Sequence, residues 1–329
     1  MGLEFFTGFE GCNSSGDAKA LFPYSNGEIH FSATGGYNNG KRARVRNGGE
    51  YMQVNCTPGK TKVYGGHIIF ASLGTYNTNP EYTFLHIPEC NISVWNDPMG
   101  LDIRSGATQL ATVPGVIIPP EITHVEIKVY SHATEGTLEI KINGVSVASL
   151  TGINTGGADI TQMRFYGTPH NGDISWDNIF VADDWQGELI SVLCSPVGDT
   201  QAQFTPLAGT DNFAMVDESG QDGDTTYVAS STVGNQDLYG FSAVPAGQLV
   251  KGVTLVTVAR KDVVGPRKLQ PCAVQDTTEY PVGSEKVLAL TYPSSTQQGS
   301  ITTLPTAPDG TAWTRDKLNA LSWGFKVTE

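Results

Sequence analysis

Apolar and polar positions alternate along much of this chain in short runs, with the two-residue period of a strand that buries one face. The clearest run is Val125, Ile127 and Val129 separated by Glu126 and Lys128. An amphipathic helix, with its period of about 3.6, cannot place these residues on one side. Leu138 to Ile142 repeats the pattern and runs into Asn143-Gly144, the pair that tolerates positive φ in a type I′ hairpin turn. With those two as the loop, Ile142 faces Val145 and Ile140 faces Val147. All four are then expected on one buried face, with Glu139 and Lys141 turned to water. Further strands are expected over 67–73, 82–87, 91–95, 163–166 and 174–181, and later over 190–194, 227–230, 253–260 and 286–292. Near the end Thr314 is placed to cap a short helix, with Asp316 in its first turn and Leu318 and Leu321 on one face, before a closing strand over 323–327.

The 38 glycines and 18 prolines, beside only 16% charged residues, suit many short strands joined by turns. Without βαβ alternation, the expected class is an all-β sandwich or jelly roll closed by antiparallel pairing. A chain of 329 residues exceeds what one core usually supports, so two domains are expected, residues 1–188 and 189–329. The polar stretch Asp183-Asp184-Trp185-Gln186-Gly187-Glu188 marks the exit from the first. A formal charge of −13 argues against a nucleic-acid partner, because phosphate binding needs clustered Lys and Arg. Lys41, Arg42, Arg44 and Arg46 read as a solvated strand face. No positively charged segment precedes an apolar one at the N-terminus, and no run approaches the length of a membrane span, so synthesis in the cytosol and no membrane partner are expected. The five cysteines are odd in number and scattered, which predicts buried free thiols rather than a disulfide framework.

Three stretches of the first half, Phe6-Thr7-Gly8-Phe9-Glu10, Gly136 to Ser149 and Ile174-Ser175-Trp176-Asp177-Asn178-Ile179-Phe180-Val181, resemble concanavalin-like (laminin G type) jelly rolls. The last is similar to the W-x-D-D-I-x-V closing strand of phage versions, with Asn178 in place of the second Asp. In the second half, Gly198-Asp199-Thr200, Gly223 to Val228, Val258 to Asp262 and the segment from Trp313 to Val327 resemble the C-terminal half of phage tail-fibre-like virion proteins. The resemblance implies a concanavalin-like jelly roll followed by a smaller β-sandwich domain with one short C-terminal helix. It also implies a non-enzymatic structural or accessory part of a bacteriophage virion, at tail, collar or capsid surface. Such a protein would be a homo-oligomer contacting other virion proteins and a cell-surface glycan. The alternative on the same scaffold is a carbohydrate-binding module or a glycan-active enzyme.

Candidate chemistry is sparse. Glucanases on this scaffold use an E-x-D-x-x-E run, whose alternation aims its carboxylates into one cleft, and no such run occurs. Neither G-x-S-x-G nor H-E-x-x-H is present, and lone histidines such as His67 and His86 read as packed or surface residues. Gly35 to Arg42 formally fits G-x-x-x-x-G-K, but Arg42 stands where Mg²⁺ needs a hydroxyl. No catalytic residue and no cofactor are expected, calcium aside. Oxygen-rich turns nominate Asp173, Asp177, Asp222 and Asp224 as calcium ligands, with solvated turn residues the preferred reading. For a glycan, which needs rings to stack on and amides to hydrogen-bond hydroxyls, the candidates are Tyr37, Asn38, Tyr76 and Asn77.

Overall fold

The computed structural model describes all residues except 1, 11, 13–14, 23, 46–49, 71–81, 98–99, 117–121, 167–173, 221 and 293–300. The chain is nearly all β and divides into two units, Met1–Glu10 with Ser14–Ser191, and Gly11–Asn13 with Val192–Glu329.

The first unit is a two-sheet jelly-roll sandwich. Its strands are β1 (Leu3–Thr7), β2 (Ile29–Ser32), β3 (Arg42–Val45), β4 (Tyr51–Gly59), β5 (Thr61–Phe70), β6 (Tyr82–Ile87) and β7 (Ile92–Asp97). They continue as β8 (Gly100–Ser105), β9 (Thr108–Pro114), β10 (Thr123–Tyr130), β11 (Gly136–Ile142), β12 (Val145–Ile153), β13 (Ile160–Tyr166) and β14 (Ile174–Ala182). One sheet runs β12-β11-β10-β5-β14-β3-β2 with β1 added to β14, and the other runs β4-β13-β6-β7-β8-β9. Every pairing is antiparallel. The inner faces meet through residues such as Phe165 of β13 and Trp176 of β14, whose rings pack edge to face with centroids 4.9 Å apart. Both are fully buried, and truncating either to Ala is worth about 3–5 kcal/mol.

The alternating run around Ile127 forms β10 and pairs with β11 as Val125↔Ile142, Ile127↔Ile140 and Val129↔Leu138. Asn143 (φ 48°) and Gly144 (φ 79°) make the expected turn. Beyond it the expectation fails, because a bulge between Ile140 and Lys141 pairs Ile140 with Ala148 rather than Val147. Val145 is 65% exposed, and the four apolar residues do not share one buried face. Lys141 is not simply solvated either, its ammonium lying 3.7 Å from the centre of the Trp185 ring.

The outer face of the larger sheet is covered by a strap, residues 183–191. Asp183 pairs with the buried Lys62 at 2.8 Å, and Asp184 with Lys128 at 2.7 Å. Glu126 accepts the backbone N–H groups of Gln186 and Gly187, and Leu189 packs with Leu3, Val63, Phe180 and Ala182. The expected strand at 190–194 is absent: these residues are neither helical nor extended in a ladder, and Ile190, Val192 and Leu193 are exposed.

The second unit is built on a five-strand path in the order Pro196–Gln201, Gln236–Phe241, Ser322–Val327, Lys268–Gln275 and Thr278–Pro281, with Lys286–Val287 added to Lys268–Gln275. Its core gathers Ala273, Val282, Ala307, Trp313, Leu321 and Trp323. The predicted helix is Arg315–Ala320, and the Thr314 hydroxyl accepts the Lys317 N–H at 3.2 Å as its cap. A second short helix, Ser15–Leu21 in the first unit, was not anticipated. All five cysteines are free thiols.

Candidate functional site

In the six-stranded sheet, residues pointing away from the core line up across neighbouring strands. The pairings Gln53↔Arg164, Arg164↔His86, His86↔Ser93, Ser93↔Arg104 and Arg104↔Gln109 form one row, with one polar side chain from every strand of the sheet. Two residues along, Tyr166↔Tyr51 and Thr83↔Trp95↔Asp102↔Thr112 form a second row that carries the aromatic groups. The intervening positions, among them Met52, Met163, Phe165, Ile92, Val94 and Ile103, are buried. Period-two alternation therefore aims one set of residues into the core and the other onto an open face.

The side chains on this face are interlocked. Arg164 Nε donates to Gln53 Oε1 at 3.0 Å, and its guanidinium lies 4.4 Å over the Tyr51 ring. Tyr51 packs on Tyr166 with centroids 5.3 Å apart, and Tyr166 meets the edge of His86 at 6.2 Å. Ser93 Oγ lies 2.9 Å from His86 Nδ1. Partial burial, with the Arg164 charge second, lowers the His86 pKa, so the imidazole is neutral at pH 7. At the other end Arg104 Nε donates to Asp102, Gln109 Nε2 donates to the other Asp102 oxygen at 2.8 Å, and the Arg104 guanidinium lies 4.5 Å over Trp95. Asp102 is the only carboxylate among the described side chains of the two rows, and it is committed to these partners.

None of these residues was singled out as a site from the sequence, and His86 was read there as packed or surface. The available signal was polar alternation against a buried partner set, as in Gln162, Arg164 and Tyr166 of β13.

The sequence candidates lie elsewhere. Tyr76, Asn77 and Asp173 are outside the described residues. Tyr37 and Asn38 sit in a tight turn over the larger sheet, where Asn38 is exposed at φ 51°. Tyr37 stacks on His67 at 4.0 Å, and its N–H donates to Asp177 at 2.8 Å. That turn is the G-x-x-x-x-G-K stretch, and a side chain at Gly36 would collide with the Lys41 carbonyl and with Asp177. Asp177 is buried and also accepts the Asn178 N–H, and desolvation pushes its pKa up to about 7. Asp222 accepts from the Thr226 hydroxyl, and Asp224 is bound by Arg260 and Tyr292. Among the described residues no group of three or more His, Cys, Asp or Glu side chains is arranged to hold a metal ion.

No protein-family model and no curated protein matches this sequence. Solved structures do resemble it. Alginate lyase Aly36B is 13% identical with a TM-score of 0.40, the match covering 57% of this chain and all of that one. The catalytic domain of a glycoside hydrolase family 131 protein from Coprinopsis cinerea is 12% identical with a TM-score of 0.38, covering 58% and 98%. The carbohydrate-binding module CBM66 from Bacillus subtilis is 10% identical with a TM-score of 0.28, covering 43% and 86%. At these values the likeness concerns fold alone, and the reading of the site rests on this chain's own side chains. The expectation that the protein is not an enzyme is withdrawn: catalytic domains stand among the structures that share this fold, and fold alone does not exclude catalysis. The missing E-x-D-x-x-E run removes one carboxylate-pair mechanism and leaves other chemistry open. Nothing in these likenesses bears on a virion role.

Proposed function

We propose that this protein binds a polysaccharide along the outer face of its six-stranded sheet and acts on it there, with His86 as the proton acceptor. The observation that carries this reading is the unbroken polar row Gln53, Arg164, His86, Ser93, Arg104 and Gln109, flanked by Tyr51, Tyr166 and Trp95. Amide, guanidinium and hydroxyl groups in a line match the repeating hydroxyls of a sugar chain, and rings beside them cover its apolar faces. A sheet that served only as a solvated surface would not need its polar groups fixed by one another.

Chemistry follows from what the row contains. Hydrolysis by paired carboxylates is not available to the two rows, since Asp102 is alone and engaged. A neutral imidazole is the group able to take a proton, and with Nδ1 held by Ser93 we assign that task to Nε2.

The test is chromatographic sizing of a panel of bacterial, algal and plant polysaccharides after incubation with the purified protein. At least one polymer is expected to be shortened, and H86A is expected to lose at least about 100-fold in rate, the usual contribution of a general base, while still retarding that polymer in an affinity gel. A protein that neither retards nor shortens any polymer in the panel would remove this reading.

A further inference from the structure

Arg164 and Arg104 are built alike. Each has Nε engaged by a neighbouring side chain, Gln53 for the first and Asp102 for the second, and each lays its guanidinium over a ring, Tyr51 at 4.4 Å and Trp95 at 4.5 Å. Both planes are thereby fixed, and the Nη1/Nη2 edge of each keeps its donors for a ligand; no described residue accepts from them. Such an edge fits two oxygens of a planar anion or two vicinal hydroxyls.

The two differ in charge. Arg104 is paired with the buried Asp102, so that end of the row is neutral overall. The Arg164 partner is an uncharged amide, and no ion pair is formed by Arg164 among the described residues. This half-buried cation, beside Tyr51, Tyr166 and a neutral His86, is ion-paired with no carboxylate among the described residues. The arginines stand on strands β13 and β8, three strand spacings apart, about 14 Å at roughly 4.8 Å each.

We propose that the polysaccharide is acidic, that a carboxylate of one sugar seats on Arg164, and that Arg104 with Asp102 forms a separate neutral subsite for the hydroxyls of a sugar further along the same chain. This rests on the assignment of the glycan to this face and adds its charge class and polarity. Monosaccharides cannot span both arginines, so affinity rises with oligomer length until both are reached.

The experiment measures binding of full-length protein to alginate and polygalacturonate, each alongside its carboxyl-reduced, uncharged form. The intact protein is expected to favour the acidic form of at least one polymer by tenfold or more. R164Q is expected to abolish that preference with affinity for the reduced form unchanged, and R164K to restore part of it by keeping the charge without the two-pronged edge. The double variant R104Q/D102N, which keeps that end of the row neutral, is expected to weaken both forms by the same factor. Melting temperatures of the variants matching the parent establish that folding is intact. Equal binding of acidic and reduced polymers, or a preference that survives R164Q, would overturn the charge assignment and leave glycan binding standing. Absence of binding to all four polymers would count against both.

Discussion

Asp177 and His124 lie on the same face of the larger sheet and hold protons in the opposite sense to water. Asp177, buried at 1% exposure, is pushed up to about 7 by desolvation, which outweighs the two backbone N–H groups it accepts. His124 is pushed down to about 4, chiefly by burial and then by the neighbouring His67. The signs follow from linkage. The fold keeps a proton on Asp177 that the unfolded chain releases above its ordinary value near 3.9, so that site destabilises progressively as pH rises toward 7. The fold refuses a proton to His124 that the unfolded chain takes below about 6.5, so that site destabilises as pH falls toward 4. Between about pH 4 and 6.5 the two slopes oppose each other. Asp177→Asn removes one of them, and denaturant titrations of that variant from pH 7 to 4.5 are expected to show a steeper loss of stability toward acid than the parent shows. Parallel pH profiles would mean that Asp177 gives up its proton over the same pH range in the folded and unfolded chain.

At the scale of elements, the closing strand β14 is shaped by its neighbour. Its ladder with β5 slips between Asp177 and Phe180, where Asn178 adopts φ 49°, and Gly65-Gly66 of β5 lies opposite. A Cβ on Gly65 would stand 2.3 Å from the Phe180 ring, whereas one on Gly66 would meet backbone at 3.1 Å. Gly65→Ala is therefore expected to cost about 2–3 kcal/mol in urea unfolding and Gly66→Ala less, a contrast lost if Phe180 swings freely. The strands themselves were legible in the sequence because alternation and the Asn143-Gly144 turn act locally. Slips were not: the bulge that exposes Val145 depends on β11 meeting β12, and no residue in the hairpin announces it. The polar row was hidden for the same reason on a larger scale. Gln53 and Arg164 touch across 111 positions of sequence, so each strand's outward residues could be read while their adjacency could not. The familiar sequence signals of catalysis, a carboxylate run or a nucleophile elbow, are local in sequence, and neither occurs in this chain.

For the whole molecule, the strap settles where the first unit ends. Residues 183–191 supply partners to Lys62, Lys128, His67, Asn178 and Glu126, all on the larger sheet. A chain cut after Ser191 is expected to melt cooperatively. One cut after Ala182 uncovers Phe180 and deprives buried polar groups of their partners, a loss of roughly 3–5 kcal/mol that lowers its melting temperature by about 10 °C or more. Equal melting of the two fragments, read by circular dichroism, would show that the strap is dispensable. The alternation within β13 has another consequence. Met163 and Phe165 hold the sandwich together, while Gln162, Arg164 and Tyr166 face outward from the same seven-residue strand. Under the proposed function, recognition and folding are encoded at interleaved codons. Lineages of such chains are free to exchange one ligand for another by drift at every second position, and a library randomised at 53, 86, 93, 104 and 164 would sample new binding specificities on an unaltered core.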